Sequence, residues 1–241
     1  MPQSLTEYLK QCLTDDRLQR FDNVVKFRTR QLTVVLENVY HEHNASAVLR
    51  TCDCLGIQDV HVIESQNNFA PNVEVALGAS KWLTIHNYRS EPEPSNGPQT
   101  NVSVDCIRHL KQDGFRVLST SPRQDSLPLS QVTFNQKTAI VFGAEQIGVS
   151  EEAISESDDL IHIPMFGFTE SFNVSVSAAV ILQHLTTLLH ASGINWRLTD
   201  TERSELTDRW VRQSLGSSLA PLIRRFEDEQ RVPLTNRDLE E

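Results

Sequence analysis

The spacing of apolar residues is typical of a chain in which short buried strands alternate with amphipathic helices. Continuous apolar runs at residues 32–36 and 138–142 predict strands that are buried on both faces, as in a parallel sheet. Residues 32–63 read as strand, helix and strand, with Asn44 as the predicted N-cap of the helix. We therefore predict an α/β fold with a mostly parallel sheet flanked by helices.

A second apolar pattern occupies residues 161–189. A short strand at 161–163 is followed by a polar loop, and a helix is expected to begin near Asn173. The helix carries six residues at the spacing of one buried helical face, which are Ala178, Ile181, Leu182, Leu185, Leu188 and Leu189. This segment should therefore place a polar loop beside a helix that packs into the core.

Helical patterns before and after the α/β pattern divide the chain into three predicted regions. Residues 1–30 form an N-terminal helical extension with a break and a new N-cap at Thr14, 31–192 form the α/β domain, and 193–241 form a C-terminal helical extension. In the last region, Trp210, Val211, Leu215 and Leu219 predict an amphipathic helix. Residues 91–98 hold three prolines and a glycine, which predicts a surface loop.

Composition narrows the class of protein. Hydrophobic residues make up 39% and charged residues 22% of the chain, as expected of a folded soluble protein. No apolar run reaches the ~18 residues of a membrane span, and the N-terminus lacks a secretory signal pattern, so we expect a cytoplasmic protein without a membrane partner. Cys52 and Cys54 are expected to be small apolar packing residues, and His41 and His43 lack a surrounding ligand set, so no metal site is predicted.

Functional side chains follow the ends of the predicted strands. These residues are Glu37, Asn38, Asn44 and Arg50 after the first strand, Thr120 after the strand predicted at 115–118, Gly143, Ala144 and Glu145 after the 138–142 strand, and Gly167, Ser171 and Asn173 after the 161–163 strand. The carboxyl ends of parallel strands share one edge of a sheet, so these groups could share one crevice. The glycines would allow a pocket built from backbone groups, but the sequence matches neither the Rossmann fingerprint nor the P-loop. Arg50 could equally form a surface ion pair with Asp53.

Three segments that contain these residues resemble the motifs of a known protein family. Residues 44–53 (NASAVLRTCD), residues 142–148 (FGAEQIG), and Ile163-Pro-Met165 with residues 171–176 (SFNVSV) resemble the three motifs of the SpoU (SPOUT) RNA 2′-O-ribose methyltransferases. The resemblance covers about residues 32–189, and the helical extensions look like those of the TrmH branch. Members of that branch methylate guanosine 18 in the D-loop of tRNA.

The resemblance implies a fold and a cofactor. The C-terminal part of the domain, about residues 138–192, should be tied as a deep trefoil knot whose loops hold S-adenosylmethionine. By motif, the cofactor-binding residues should be Thr120, Gly143, Ile163 and Phe172. Family members are homodimers that pack through the knot helices, which suits a helix as apolar as 174–189.

The resemblance also implies a catalytic group, with Arg50 at the centre and Asn44, Glu145, Ser171 and Asn173 around it. A guanidinium is a poor base because its pKa lies above ~12, so we expect Arg50 to bind the adjacent phosphate and steady the developing alkoxide. The proton acceptor is either that phosphate or an activated arginine. Asn173 could serve as a helix N-cap, as a functional residue, or as both.

The net charge of −10 requires that any tRNA-binding surface be local. The candidates are Lys26, Arg28, Arg30, Arg197, Arg203 and Arg212, although cations near a helix C-terminus or on a solvated face are a common alternative. Three other functions stay open. They are methylation of another tRNA position or of ribosomal RNA, an inactive RNA-binding module with the same fold, and a generic nucleotide-binding α/β domain without a knot.

Overall fold

The computed structural model describes residues 4–39, 41–65, 78–89, 101–123 and 125–231, and the loop predicted at 91–98 lies outside these residues. The chain forms two compact units, one from Arg28–Arg197 and one from Met1–Phe27 with Leu198–Glu241. The larger unit contains the sheet, and the smaller one is helical in its described part.

The larger unit is built on a seven-stranded sheet. The strands are β1 (Leu32–Glu37), β2 (Asp59–Glu64), β3 (Thr84–Arg89), β4 (Arg116–Thr120), β5 (Leu127–Pro128), β6 (Thr138–Phe142) and β7 (Asp159–His162). Their order is β3-β2-β1-β6-β4-β7-β5, and every registered pair is parallel. The predicted α/β class and mostly parallel sheet are confirmed. The central strands β1 and β6 are buried along their whole length, as their continuous apolar runs indicate.

Helices cover both faces of this sheet. The described helices, in chain order, are α1 (Leu5–Gln11), α2 (Asp15–Val25), α3 (Glu42–Cys54), α4 (Val102–Gln112), α5 (Glu151–Glu156), α6 (Val174–Ala191), α7 (Asp200–Leu215) and α8 (Leu219–Arg231). Residues of α3 and α6 share one hydrophobic core with the sheet, and residues of α4 and α5 share a second core on the other face.

The start of α6 agrees with the sequence-based prediction, whereas the start of α3 does not. Asn173 is the N-cap of α6, with its side chain accepting from the backbone N–H of Ser175, as predicted. Asn44 is not an N-cap, because α3 already begins at Glu42 and places Asn44 in its first turn. That correction leaves the Asn44 amide available for a contact outside its own helix.

The predicted apolar face of α6 is buried in the core, apart from Leu188, which is partly buried against it. By length and composition alone, α6 is also long and apolar enough to cross a membrane, contrary to the expectation from the sequence, and 33% of it is buried inside the protein. Val176 and Val180 lie on the helix with 44% and 40% exposure. The helix therefore has an apolar surface in addition to its core face.

The buried carboxylate of Glu37 connects β1 to two helices. It accepts hydrogen bonds from the backbone N–H of Ser150 at 2.8 Å and from the hydroxyls of Ser150 and Ser103 at 2.6 and 2.5 Å. Ser150 is the N-cap of α5, and Ser103 lies in the first turn of α4. These hydrogen bonds offset the loss of hydration of the buried Glu37 carboxylate. Because Ser150 ends the loop that follows β6, they also hold that loop in place.

A buried histidine on β2 should make stability depend on pH. His61 is 6% exposed, stacks on His86 at 4.5 Å, and lies 3.2 Å from the Tyr88 hydroxyl. Burial, followed by the neighbouring His86, lowers the pKa of His61 from 6.5 to about 4. The unfolded chain therefore binds a proton here that the folded protein does not accept. Folding stability should fall by about 3 kcal/mol at this site as pH drops from about 6.5 to about 4.

We expect His61→Phe, which keeps a flat ring on His86, to flatten the acid limb of the stability profile. The measurement is the free energy of unfolding in denaturant at pH 7, 5.5 and 4. His43→Phe is the control, because His43 is an exposed histidine of α3. An unchanged slope in His61→Phe would assign the pH dependence to other groups.

The smaller unit packs its helices through aromatic and polar contacts. Phe21 of α2 lies 5.7 Å from the buried Trp210 of α7, and Tyr8 of α1 lies 5.3 Å from Phe226 of α8. Thr14 is the N-cap of α2, as predicted. The amphipathic helix predicted from Trp210 to Leu219 is α7, but it ends at Leu215, and Leu219 begins α8. The arginines of this segment therefore belong to a folded helical unit.

Candidate active site

A cavity of about 540 Å³ opens where β4, β6 and β7 end. The four predicted cofactor-binding residues line it, and so do three of the five predicted catalytic residues, which together are Thr120, Gly143, Ile163, Phe172, Glu145, Ser171 and Asn173. Its position at the carboxyl ends of parallel strands is the usual place for a ligand site in an α/β sheet. The structure thus brings together side chains that are far apart in the sequence.

The loop after β6 has a shape that only glycine permits at its first position. A Cβ added to Gly143 would lie 2.0 Å from the backbone carbon of Gly148 and 2.1 Å from the backbone nitrogen of Val149. The loop closes through a hydrogen bond from the Gly148 N–H to the Ala144 carbonyl at 2.8 Å, with Gly148 at φ +72°. Backbone groups therefore form this wall of the cavity, as the glycine-rich sequence predicts.

A chain of hydrogen bonds connects the three motif segments. The Asn44 Nδ2 donates to Glu145 Oε1 at 2.8 Å, and the Asn173 Nδ2 donates to Asn44 Oδ1 at 3.1 Å. Asn173 Oδ1 then accepts from the N–H and the hydroxyl of Ser175 at 2.9 and 2.6 Å. Asn44 does not line the cavity itself, so it fixes two residues that do.

Asn173 combines capping with this contact, and the two roles can be separated. Aspartate is an equally good N-cap but cannot donate to Asn44. We expect Asn173→Asp to keep the melting temperature within about 2 °C of wild type, because the cap is retained. The same variant should lower the rate of the methyl transfer that the motif resemblance implies about tenfold or more, through loss of the Asn44 contact. Asn173→Ala should lower both the melting temperature and the rate. An unimpaired rate in Asn173→Asp would show that Asn173 acts only as a helix N-cap.

Arg50 is exposed on α3 and does not line the cavity. The alternative ion pair with Asp53 is not formed, because the Asp53 carboxylate pairs with Arg28. Within the described residues, Arg50 has no ion pair. An exposed guanidinium of this kind, on the helix that carries Asn44, is available to an external anion.

The predicted RNA-binding residues have different environments. Arg28 is 2% exposed and bonds to Asp53 and, at 3.5 Å, to the Ile57 carbonyl, so its assignment to a binding surface was wrong. Arg30 lies 3.2 Å from Asp59, and Arg212 lies 2.6 Å from Asp208. Arg203 pairs with Asp200, whereas Lys26 and Arg197 are exposed, with Arg197 over the Trp196 ring at 4.8 Å. The sequence could not reveal the burial of Arg28, because its partner is 25 residues away.

The loop before α6 contains three phenylalanines with different roles. Phe172 lines the cavity, whereas Phe166 and Phe168 are 97% and 108% exposed. Sequence reasoning missed another lining residue, His162, whose hydrogen bond to Ser126 depends on the pairing of β5 with β7. Among the described residues, no group of three or more His, Cys, Asp or Glu side chains could hold a metal ion.

Charge distinguishes between possible ligands of this cavity. Its lining residues include the carboxylates of Glu145 and Glu170 and no lysine or arginine among those described. A ligand with several phosphates needs cations or a helix N-terminus for its negative charge. The cavity is better suited to a cationic ligand, and its volume falls within the ~300–1,000 Å³ of small-molecule sites.

Comparisons with known proteins agree with this geometry. The model of the SpoU rRNA Methylase family matches residues 31–183. A Borreliella burgdorferi protein named tRNA (guanosine(18)-2′-O)-methyltransferase is 37% identical over 205 residues, covering 85% of this chain and 88% of the relative. The solved A. aeolicus TrmH/SpoU tRNA modifying enzyme aligns with a TM-score of 0.72 and 28% identity, over 83% of this chain and 98% of its own.

An rRNA methyltransferase from Sinorhizobium meliloti, solved with AdoMet bound, shares the fold. It aligns with a TM-score of 0.56 and 19% identity over 68% of this chain and 59% of its own.

Proposed function

The chain belongs to the SpoU rRNA Methylase family, and we propose that it transfers a methyl group from S-adenosylmethionine to the ribose 2′-OH of guanosine 18 in tRNA. The observation that carries this proposal is the joining of the three motif segments by the Glu145–Asn44–Asn173 hydrogen bonds at the rim of one cavity. The similarity to the tRNA (guanosine(18)-2′-O)-methyltransferase of B. burgdorferi over most of both chains supports the choice of substrate.

The residues around the cavity fit the cofactor. Thr120, Gly143, Ile163 and Phe172 would hold it, and the absence of Cβ atoms at Gly143 and Gly148 lets the backbone approach it closely. The acidic lining suits a cation. When bound, S-adenosylmethionine supplies a methyl group on a positively charged sulfur.

Arg50 would act on the RNA side of the reaction. Its guanidinium can bind the phosphate next to the acceptor ribose in a bidentate manner and stabilise the alkoxide that develops as the 2′-OH passes its proton to that phosphate or to an activated arginine. Asn44 holds Asn173 and Glu145 in place, and Ser171 and Asn173 would orient the ribose. In this proposal Glu145 positions the loop after β6 through the hydrogen bond that it accepts from Asn44.

The assembly and topology are also part of the proposal. We infer that about residues 138–192 form the deep trefoil knot of the family, flanked by extensions 1–30 and 193–241. The exposed apolar residues Phe172, Val176 and Val180 support a homodimer through the knot helix α6. We place the protein in the cytoplasm with its tRNA substrate, which Lys26, Arg30, Arg197, Arg203 and Arg212 would bind.

The test uses purified protein, methyl-labelled S-adenosylmethionine and tRNA transcripts that carry G or A at position 18. We expect labelling of the G18 transcript only. Equal labelling of both transcripts would assign the activity to another position. Binding of tRNA without binding of S-adenosylmethionine in calorimetry would support the inactive RNA-binding module instead.

A further inference from the structure

A buried serine holds His162, a histidine that lines the cavity. Ser126 is 5% exposed, and its Oγ lies 2.8 Å from Nδ1 of His162. The same Oγ donates a hydrogen bond to the carbonyl of Arg123. Parallel pairing of β5 with β7 places Pro128 opposite His162 and so fixes the segment that carries Ser126.

This arrangement decides which nitrogen of His162 carries the proton. A serine hydroxyl has one hydrogen, and here it is used on the Arg123 carbonyl. With its hydrogen on the Arg123 carbonyl, Ser126 accepts from His162, and in that assignment the neutral imidazole is protonated at Nδ1 and has its lone pair at Nε2. Within the described residues, no hydrogen bond reaches Nε2, which is left as an acceptor for a ligand of the cavity.

The residues around His162 indicate which part of the cofactor meets this acceptor. The cavity lining also contains Pro122 and the two residues that flank His162 in the chain, Ile161 and Ile163, all of which are apolar. The acidic and amide groups belong to the loops that Asn44 connects, around Glu145 and Asn173. A flat heterocycle is suited to the apolar part, and the charged amino acid portion to the acidic part.

We propose that His162 recognises the exocyclic amino group of the adenine of S-adenosylmethionine, and that Ser126 is a positioning residue that fixes the required tautomer. This inference rests on the proposed cofactor. It adds a specificity function for two residues outside the motif positions: His162 accepts the amine hydrogen of adenine and repels a carbonyl at the same position of the purine.

The experiment compares two ligands by calorimetry, S-adenosylhomocysteine and S-inosylhomocysteine, which differ in having an amine or a carbonyl at purine C6. We expect wild type to bind the adenosyl compound about tenfold or more tightly than the inosyl compound. In His162→Phe this ratio should fall to about threefold or less. In Ser126→Ala the freed imidazole can donate from Nε2, so affinity for the inosyl compound should rise, which loss of packing alone would not cause.

His109→Phe is the matched control, because His109 is exposed on α4 and outside the cavity, and it should keep the wild-type ratio. If His162→Phe keeps the wild-type ratio while S-adenosylhomocysteine still binds, the role of His162 is refuted and the proposed function stands. If wild type binds neither compound nor S-adenosylmethionine, both the role of His162 and the proposed function are refuted. Melting temperatures check the fold of each variant, and if Ser126→Ala unfolds, His162→Phe alone decides.

Discussion

Replacing Arg50 with alanine is expected to lower kcat/KM for tRNA methylation by about 10²–10³-fold, the usual effect of losing a donor to a developing oxyanion. The affinity for S-adenosylmethionine should stay at its wild-type value, because Arg50 does not line the cavity. Stability should also be retained, since the side chain is exposed and forms no ion pair within the described residues. The measurements are single-turnover methyl transfer to tRNA and calorimetry with the cofactor.

Arg50→Lys refines this result, because lysine keeps the charge but loses the planar fork of donors. We expect Arg50→Lys to show most of the loss of kcat/KM that is expected for Arg50→Ala. A near-normal rate in Arg50→Lys would contradict bidentate binding of the phosphate. Arg108→Ala serves as the control, because Arg108 is an exposed arginine of the same unit, 2.6 Å from Glu156.

Replacing Gly143 with alanine is expected to abolish detectable cofactor binding and to destabilise the protein by about 3 kcal/mol or more. The added methyl group would lie 2.0 Å from the Gly148 backbone, and backbone cannot move aside as a flexible side chain can. The loop has to open, and the wall that it forms is lost. Calorimetry with S-adenosylmethionine and the free energy of unfolding measure the two effects.

Gly193→Ala provides a matched control, because a Cβ at Gly193 would meet nothing within 4 Å. We expect that variant to change stability by less than ~0.5 kcal/mol and to bind the cofactor normally. Normal cofactor binding by Gly143→Ala would show that the closed shape of the loop is not needed for the site.

Local sequence patterns predicted the elements that depend only on neighbouring residues or on uniform burial. The strand at Thr138–Phe142 was predicted with its observed bounds, since all five residues are buried and their apolar run reflects this directly. The N-cap at Asn173 was also predicted, because capping depends on a hydrogen bond to a residue two positions away. By contrast, β5 was missed, because a strand of two residues with a proline has no periodic pattern.

Features set by distant contacts could not be predicted from local patterns. Asn44 has the composition of an N-cap, but its amide is used by Glu145, 101 residues away. Arg28 resembles a surface cation until the fold places it against Asp53. The site residues themselves were chosen by resemblance to family motifs, and the structure adds the hydrogen bonds that connect them. His162 was overlooked because its partner Ser126 is adjacent only through the β5–β7 pairing.

The most direct test of the central claim is methyl transfer to a tRNA in which guanosine 18 alone is replaced by 2′-deoxyguanosine. That substrate keeps the base and the adjacent phosphates and lacks only the attacking oxygen. We predict that the unmodified tRNA gains one 2′-O-methylguanosine at position 18, detected by nucleoside mass spectrometry, and that the deoxy-substituted tRNA gains none. Equal methylation of both tRNAs would contradict the account.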